Sequence, residues 1–183
     1  MTKIAISRHS HPTDELRSWL QKSIRRGEKF DAVYCAVELD LSGNAEIVWN
    51  CLKTVVSEDC GLAAPGLAAD IHALYLFWKE AKNTSSRLHI IHAVLECCYA
   101  QKSRLVDNAL IAVYSSEQKK REVPDWALDK HTKRGAMLGR GFDHFFSEGA
   151  KLENEDMSFS NPAMERLAKD ICLRKEKSTN APE

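Results

Sequence analysis

Residues 61–66 read Gly-Leu-Ala-Ala-Pro-Gly, which is the glycine spacing of a phosphate-binding loop. Such a loop holds nucleotide only when Lys and then Ser or Thr follow: the lysine reaches the β- and γ-phosphates and the hydroxyl binds Mg²⁺. Leu67 and Ala68 stand in those two places. The stretch therefore reads as a helix stop followed by a helix start, and the isolated chain is expected to hydrolyse no ATP. His89, His92 and Glu96 lie at i, i+3 and i+7, so on a helix they share a face. Residues so spaced can contribute to a transition-metal site. One helix rarely completes a site, however, and no second Glu-x-x-His set follows. Asp143-His144 also reverses the His-Asp order of metal phosphohydrolases. The expectation is a polar stripe, with no metal and no other cofactor.

The segment from Lys119 to Arg140 holds seven basic residues (Lys119, Lys120, Arg121, Lys130, Lys133, Arg134, Arg140) against three acidic ones (Glu122, Asp125, Asp129). Gly139 and Gly141 flank Arg140, so the backbone there could approach a phosphate closely. Phe142, Phe145 and Phe146 follow, and basic residues beside aromatics can grip single-stranded nucleic acid. Arg140-Gly141-Phe142 matches the opening of an RNA-recognition RNP1 motif, but Asp143 and His144 break it and the strands it needs are missing. Lys130, Lys133, Arg134 and Arg140 are the candidate contacts. The alternative is a solvated face beside packed phenylalanines. In Ser57-Glu58-Asp59 two adjacent carboxylates could do acid–base work, yet no nucleophile or histidine accompanies them. They fall where a helix ends, an unfavourable place for anions unless they are paired. We expect a structural network joining Glu58 and Asp59 to a neighbouring helix N-terminus or a basic side chain, with Lys102 as one partner.

The elements that must position these residues are helical. Leu16, Trp19, Leu20 and Ile24 make an apolar stripe closed by Gly27,. Phe30, Val33, Tyr34 and Val37 form the next, and Ser42-Gly43-Asn44 breaks the chain and offers an N-cap. Val48, Trp49, Leu52, Val55 and Val56 mark a third helix ending near Gly61. Pro65 is expected in the first turn of a fourth, with Leu67, Ile71, Leu74, Tyr75 and Trp78 inward. Thr84-Ser85-Ser86 reads as a cap for a central helix with Leu88, Ile91, Leu95, Cys98 and Tyr99. Ser103 can cap another, carrying Leu105, Val106, Ala109, Leu110 and Val113. After a polar break from Ser115 to Arg121, Val123-Pro124-Asp125 is expected to start a helix bearing Trp126 and Leu138. Asn161-Pro162 starts the last, with Met164, Leu167, Ala168 and Ile171 on one face. Residues 175–183 read as a frayed tail. No period-two strand and no repeat is evident, and short breaks imply antiparallel neighbours.

The fold expected is all-α: an N-terminal segment over 1–12, a multi-helix antiparallel bundle over 13–114, a small helical extension over 122–150, and a polar segment over 151–183 with one helix. At 183 residues the chain can bury a sizeable core,. Its formal net charge of +0 gives no global field towards nucleic acid or membrane,. The six cysteines show no C-x-x-C spacing,. No secretory leader and no apolar run long enough to span a bilayer is present. The reading is a cytoplasmic protein with reduced thiols.

Three signatures occur in fixed order: Ser57-Glu58-Asp59-Cys60-Gly61-Leu62-Ala63 running to Pro65; Ala100-Gln101-Lys102-Ser103; and Val123-Pro124 followed by His131, Gly135-Ala136, Leu138-Gly139 and Gly141. From about Leu16 to Gly141 the chain resembles the C-terminal helical part of the replication-associated recombination protein A and Werner-helicase-interacting family of AAA+ ATPases. Gln101 replaces the proline of that family's Ala-Pro-Lys-Ser. The resemblance implies a clamp-loader-collar-like bundle, assembly into a homotetramer, and work at stalled replication forks with single-strand-binding protein and DNA ends. The AAA+ core is absent, and the family's aromatic, His-rich C-terminal segment is replaced by Gly141–Phe146 and an acidic patch at Glu153, Glu155 and Asp156. Oligomerisation therefore carries over better than fork chemistry.

Three functions are open on the sequence. The first is a non-enzymatic assembly module that binds itself or an AAA+ ATPase supplied in trans, with Trp19, Trp49, Trp78 and Trp126 as anchors not all used in the monomer core. The second is a nucleic-acid-binding accessory protein, with single-stranded DNA as partner. The third is a small helical metallo-hydrolase. No membrane partner is expected.

Overall fold

A computed structural model describes residues 5–81 and 85–179, and among them the chain is all-α. Two compact units are present, Met1–Gln118 and Lys119–Glu183. Thr84 of the expected cap, the first four residues of the N-terminal segment and the last four of the tail lie outside the described residues.

In the first unit α1 spans Thr13–Arg26 and buries Leu16, Leu20 and Ile24. Gly27 ends it at φ 75, its N–H reaching the Ile24 carbonyl while Glu28 N–H reaches Ser23. Glycine takes this left-handed stop without strain. α2 runs over Lys29–Leu41 and α3 over Ala45–Val55. Asn44 sits at the N-cap of α3, but its side chain donates to the Ser42 carbonyl rather than capping the helix. α3 continues as a π-turn over Val56–Cys60 and a 3₁₀ turn over Gly61–Ala63. α4 spans Leu67–Glu80 behind Gly66 at φ 92, so Pro65 lies in the turn before the helix and not in its first turn. α5 spans Ser85–Tyr99 and α6 Leu105–Tyr114. α1 packs on α2 and α3, α2 on α5, and α4 on α5.

The core joins Leu16, Leu20, Ile24, Val48, Trp49, Leu52, Val55, Ile71 and Leu74 with Ile90, Val94 and Cys97. Trp49 is fully buried and Trp78 half-buried against it, while Trp19 stays half-open beside His11 and Tyr34. The expected stripes of α2 and α5 are for the most part not the buried ones, Cys98 and the half-buried Val33 excepted. α2 buries Ala32, Cys35, Ala36 and Leu39 and leaves Phe30 93% exposed. α5 buries Ile90, Ala93, Val94, Cys97 and, of the expected stripe, Cys98, and leaves Leu88 68% and Tyr99 72% exposed. Both helices are apolar on more than one side, so periodicity alone picks out two faces where the fold encloses one.

One buried charged group was not singled out in the sequence. Glu38 on α2 is 1% exposed. The Arg8 Nε donates to it at 2.9 Å, the His9 backbone N–H at 2.8 Å, and the His9 Nδ1 lies 2.8 Å away. Burial pushes its pKa up, but the His9 backbone N–H, the Ser7 hydroxyl, Arg8 and the His9 ring overcome this and hold it at about 2. These bonds strap residues 7–9 to the bundle.

The second unit is built of short pieces. A 3₁₀ turn over Asp125–Ala127 precedes α7 at Lys133–Met137, so Trp126 and Leu138 do not share the single helix expected. Thr132 caps α7, its Oγ accepting the Gly135 N–H at 3.0 Å. A Cβ on Gly135 would meet the Asp129 carbonyl oxygen at 1.8 Å, so only glycine fits. α8 at Phe142–His144 runs into a π-turn over Phe145–Gly149. α9 spans Pro162–Thr179, so the expected frayed tail is helical as far as residue 179. Asn161 Oδ1 accepts the Met164 N–H at its start.

Candidate functional site

The first two signatures meet in space around Asp59, which is fully buried in the π-turn after α3. Its carboxylate accepts from Arg25 Nε, from Gln21 Nε2 at 3.2 Å and from Arg104 Nη1 at 3.5 Å. Glu58 accepts from Arg25 Nη2 at 2.9 Å and Arg104 Nη1 at 3.3 Å. The hydrogen bond to Asp59 raises the pKa of Arg25 above its ordinary value, against a smaller opposing effect of burial. The Ser103 backbone N–H donates to the Asp59 carbonyl at 2.8 Å.

The cations are therefore Arg25 and Arg104, not Lys102. The Lys102 ammonium donates instead to the carbonyls of Cys97 at 2.8 Å, Cys98 at 3.3 Å and Ala100 at 2.6 Å. It caps the C-terminus of α5, where a cation complements the helix dipole and the unpaired carbonyls. The sequence signal for the correct partners was weak. Arg25 lies 33 residues before Glu58 with no spacing rule to link them, and Arg104 falls one residue beyond the second signature.

The arrangement holds the base of α6. Arg104 is the residue before that helix, and it also pairs with Asp107 in its first turn. The Ser103 Oγ accepts the Leu105 N–H at 3.2 Å. Gly61 lies against Val106, so that a Cβ there would come within 3.1 Å of the valine Cγ2. Fixed in this way, α6 (Leu-Val-Asp-Asn-Ala-Leu-Ile-Ala-Val-Tyr) buries none of its ten residues. Leu105, Val106, Leu110, Ile111, Val113 and Tyr114 are 39–83% exposed. The result is an exposed apolar helix anchored at its base by the polar node.

The other candidates are dispersed. His89 packs on Phe77 with ring centroids 5.7 Å apart. The half-buried Glu96 is held above the usual carboxylate range by burial and by Asp70, partly offset by His92. Among the described residues no group of three or more His, Cys, Asp or Glu is placed to hold a metal ion. Of the four candidate nucleic-acid contacts, two are engaged inside the second unit. Arg140 donates to the carbonyls of Asp125 and Leu128, each at 2.9 Å, and pairs with the Asp125 carboxylate. Lys130 sits over the Phe142 ring at 3.3 Å from its centroid and 3.5 Å from Glu176. Lys133 and Arg134 on α7 are exposed. Phe142, Phe145 and Phe146 pack on one another and His131, with centroids 5.0–6.5 Å apart.

The model of the MgsA AAA+ ATPase C-terminal family matches residues 29–170, taking in Glu58, Asp59 and Arg104 of the polar node, α6 and the third signature, while Arg25 lies just before the matched region. This chain belongs to the MgsA AAA+ ATPase C-terminal family. A search of curated proteins finds no match. Membership ties the chain to replication-associated AAA+ ATPases through their C-terminal, non-catalytic part. Among the described residues no helix of this MgsA C-terminal family member is long and apolar enough to cross a membrane.

Proposed function

We propose that this chain is a non-enzymatic assembly module of the MgsA type, which associates with itself and acts in DNA replication or repair with an AAA+ ATPase supplied in trans. The observation that carries the reading is α6, an apolar helix with no buried residue, rigidly based on the Arg25–Glu58–Asp59–Arg104 node. Full burial of a large apolar side chain is worth about 1.5–3 kcal/mol, so the six half-exposed ones, five aliphatic and Tyr114, offer roughly 5–10 kcal/mol gross,. Association costs about 4–15 kcal/mol in lost freedom. α6 alone thus sits near break-even, and a stable assembly needs a second surface. Four copies is the size that family resemblance favours, and a cytoplasmic location suits a partner at the replication fork.

The test is the solution mass of the full chain across the micromolar range, alone and with the ATPase core of a family member. Self-association that Leu110→Glu abolishes without unfolding supports the module; a monomer that also ignores the ATPase core removes it. Exposure of Lys133 and Arg134 favours a second reading, an accessory role on single-stranded DNA. Its mark is affinity that falls steeply with salt and is lost in the Lys133→Glu, Arg134→Glu double variant.

A further inference from the structure

α2 and α5 lie side by side with two apolar stripes on their outer faces. Phe30, Tyr34, Val37 and Leu41 run along α2 at steps of four, three and four residues, with one edge of Tyr34 already against Trp19 and His11; Leu88, Ile91 and Tyr99 run along α5. The helices are antiparallel. Arg87 at the start of α5 donates to Asp40 at the end of α2 at 3.1 Å, and Lys29 at the start of α2 lies 4.6 Å from the ring centroid of Tyr99 at the end of α5. Between the stripes Val37, Leu41, Ile90 and Ile91 line a slot of about 240 Å³, bounded by the Asp40–Arg87 pair.

Three observations match this face to α6. Phe30 to Leu41 covers about 17 Å at 1.5 Å per residue, and the ten residues of α6 about 15 Å. The only charge on α6, Asp107, is already paired with Arg104, and Asp40, Arg87 and Lys29 are engaged on the receiving face, so docking strands no buried charge. A specific interface buries about 800 Å² per partner. The ten residues of α6 supply less than that in any single contact, so a stable assembly needs both surfaces of each copy: α6 packed on a symmetry-related α6 leaves the α2/α5 stripes bare, whereas α6 set into those stripes covers both,.

We infer that the α2/α5 face is the receptor for α6 of a second copy of this chain, in a head-to-tail contact. Resting on the self-assembly reading above, the inference adds the partner surface and the symmetry. Each copy gives α6 to one neighbour and accepts α6 from another, an arrangement that closes into a ring or extends as a filament. The aliphatic side chains of α6 fill the slot.

The test uses three full-length proteins in light scattering: wild type, Leu110→Glu on the donor helix, and Phe30→Glu with Leu88→Glu on the receptor face. All the altered side chains are exposed, and a cooperative melt confirms folding. Phe30→Ser with Leu88→Gln replaces the receptor variant if the harsher pair does not fold. Wild type is expected to assemble and each variant to run at the monomer mass. An equimolar mixture of the two variants is expected to return particles of twice that mass, because one intact donor and one intact receptor remain per pair. A receptor variant that keeps the wild-type mass overturns the inference and leaves self-assembly standing. Monomeric variants whose mixture stays monomeric also overturn it, because that result marks a symmetric contact. A monomeric wild type removes the self-assembly reading itself, and the docking with it.

Discussion

Asp59→Asn isolates the node that holds α6. The substitution keeps the volume of a fully buried side chain and removes its charge from Arg25, Gln21 and Arg104. Breaking an enclosed ion pair costs about 3–5 kcal/mol. Here the guanidiniums are 33% and 39% exposed, so water recovers part of the loss, and the cost falls to about 1.5–3 kcal/mol, the range for hydrogen bonds to charged groups. At about 2–4 °C per kcal/mol the melting temperature drops by about 3–12 °C. Circular dichroism melts of wild type, Asp59→Asn, Arg104→Met and the double variant give the cycle. A coupling of about 0.5–1.5 kcal/mol between the two sites is expected, at the lower end for contacting residues because the Arg104–Asp59 bond is long. In light scattering Arg104→Met should weaken assembly more than its stability loss explains, because it frees the base of α6. An Asp59→Asn protein within about 0.5 kcal/mol of wild type, or strictly additive variants, would refute the idea that these residues act as one unit.

Acid should release the N-terminal strap. The folded pKa of Glu38, about 2, lies below its ordinary 4.5, so its contribution is complete above about pH 4.5 and fades as pH falls towards 2. A pH titration at fixed urea should show that acid limb in wild type and a flatter one in Glu38→Gln; equal limbs count against the strap. Gly135→Ala places a Cβ 1.8 Å from the Asp129 carbonyl oxygen and is expected to cost well over 3 kcal/mol, read as lost amide protection over residues 125–149; retained protection contradicts the close approach. Five of the six cysteines are buried and Cys172 is half-exposed. Burial raises the thiols of Cys35 and Cys51 to about 12, so a thiol reagent at neutral pH should label Cys172 first and the others only after unfolding. Fast labelling of Cys97 would show that α5 is not enclosed.

The helical class and most helix positions were legible because α1 and α3 have one apolar face each and clear stops at Gly27 and Gly61. On α2 and α5 periodicity selected the outward stripe, since Ala32, Cys35 and Ala36 are small and weigh little in a pattern beside Phe30 and Tyr34. What looked like core is the surface that a second copy could cover. The node's partners were hidden because ion pairs between distant helices leave no spacing in the chain: Arg25 meets Asp59 only after α1 packs on α3. Charge counting over 119–140 misses two intramolecular pairings for a related reason. Arg140 and Lys130 are basic in sequence, but in the folded unit they spend their charge on Asp125, Glu176 and backbone carbonyls.

Sedimentation equilibrium of the unmodified full chain is the most direct measurement. A self-assembling module should settle at a whole multiple of 20.7 kDa, with four copies the favoured value, and should dissociate as concentration falls. A particle of 20.7 kDa at every micromolar concentration would mean that α6 and the outer stripes of α2 and α5 do not join copies of this chain.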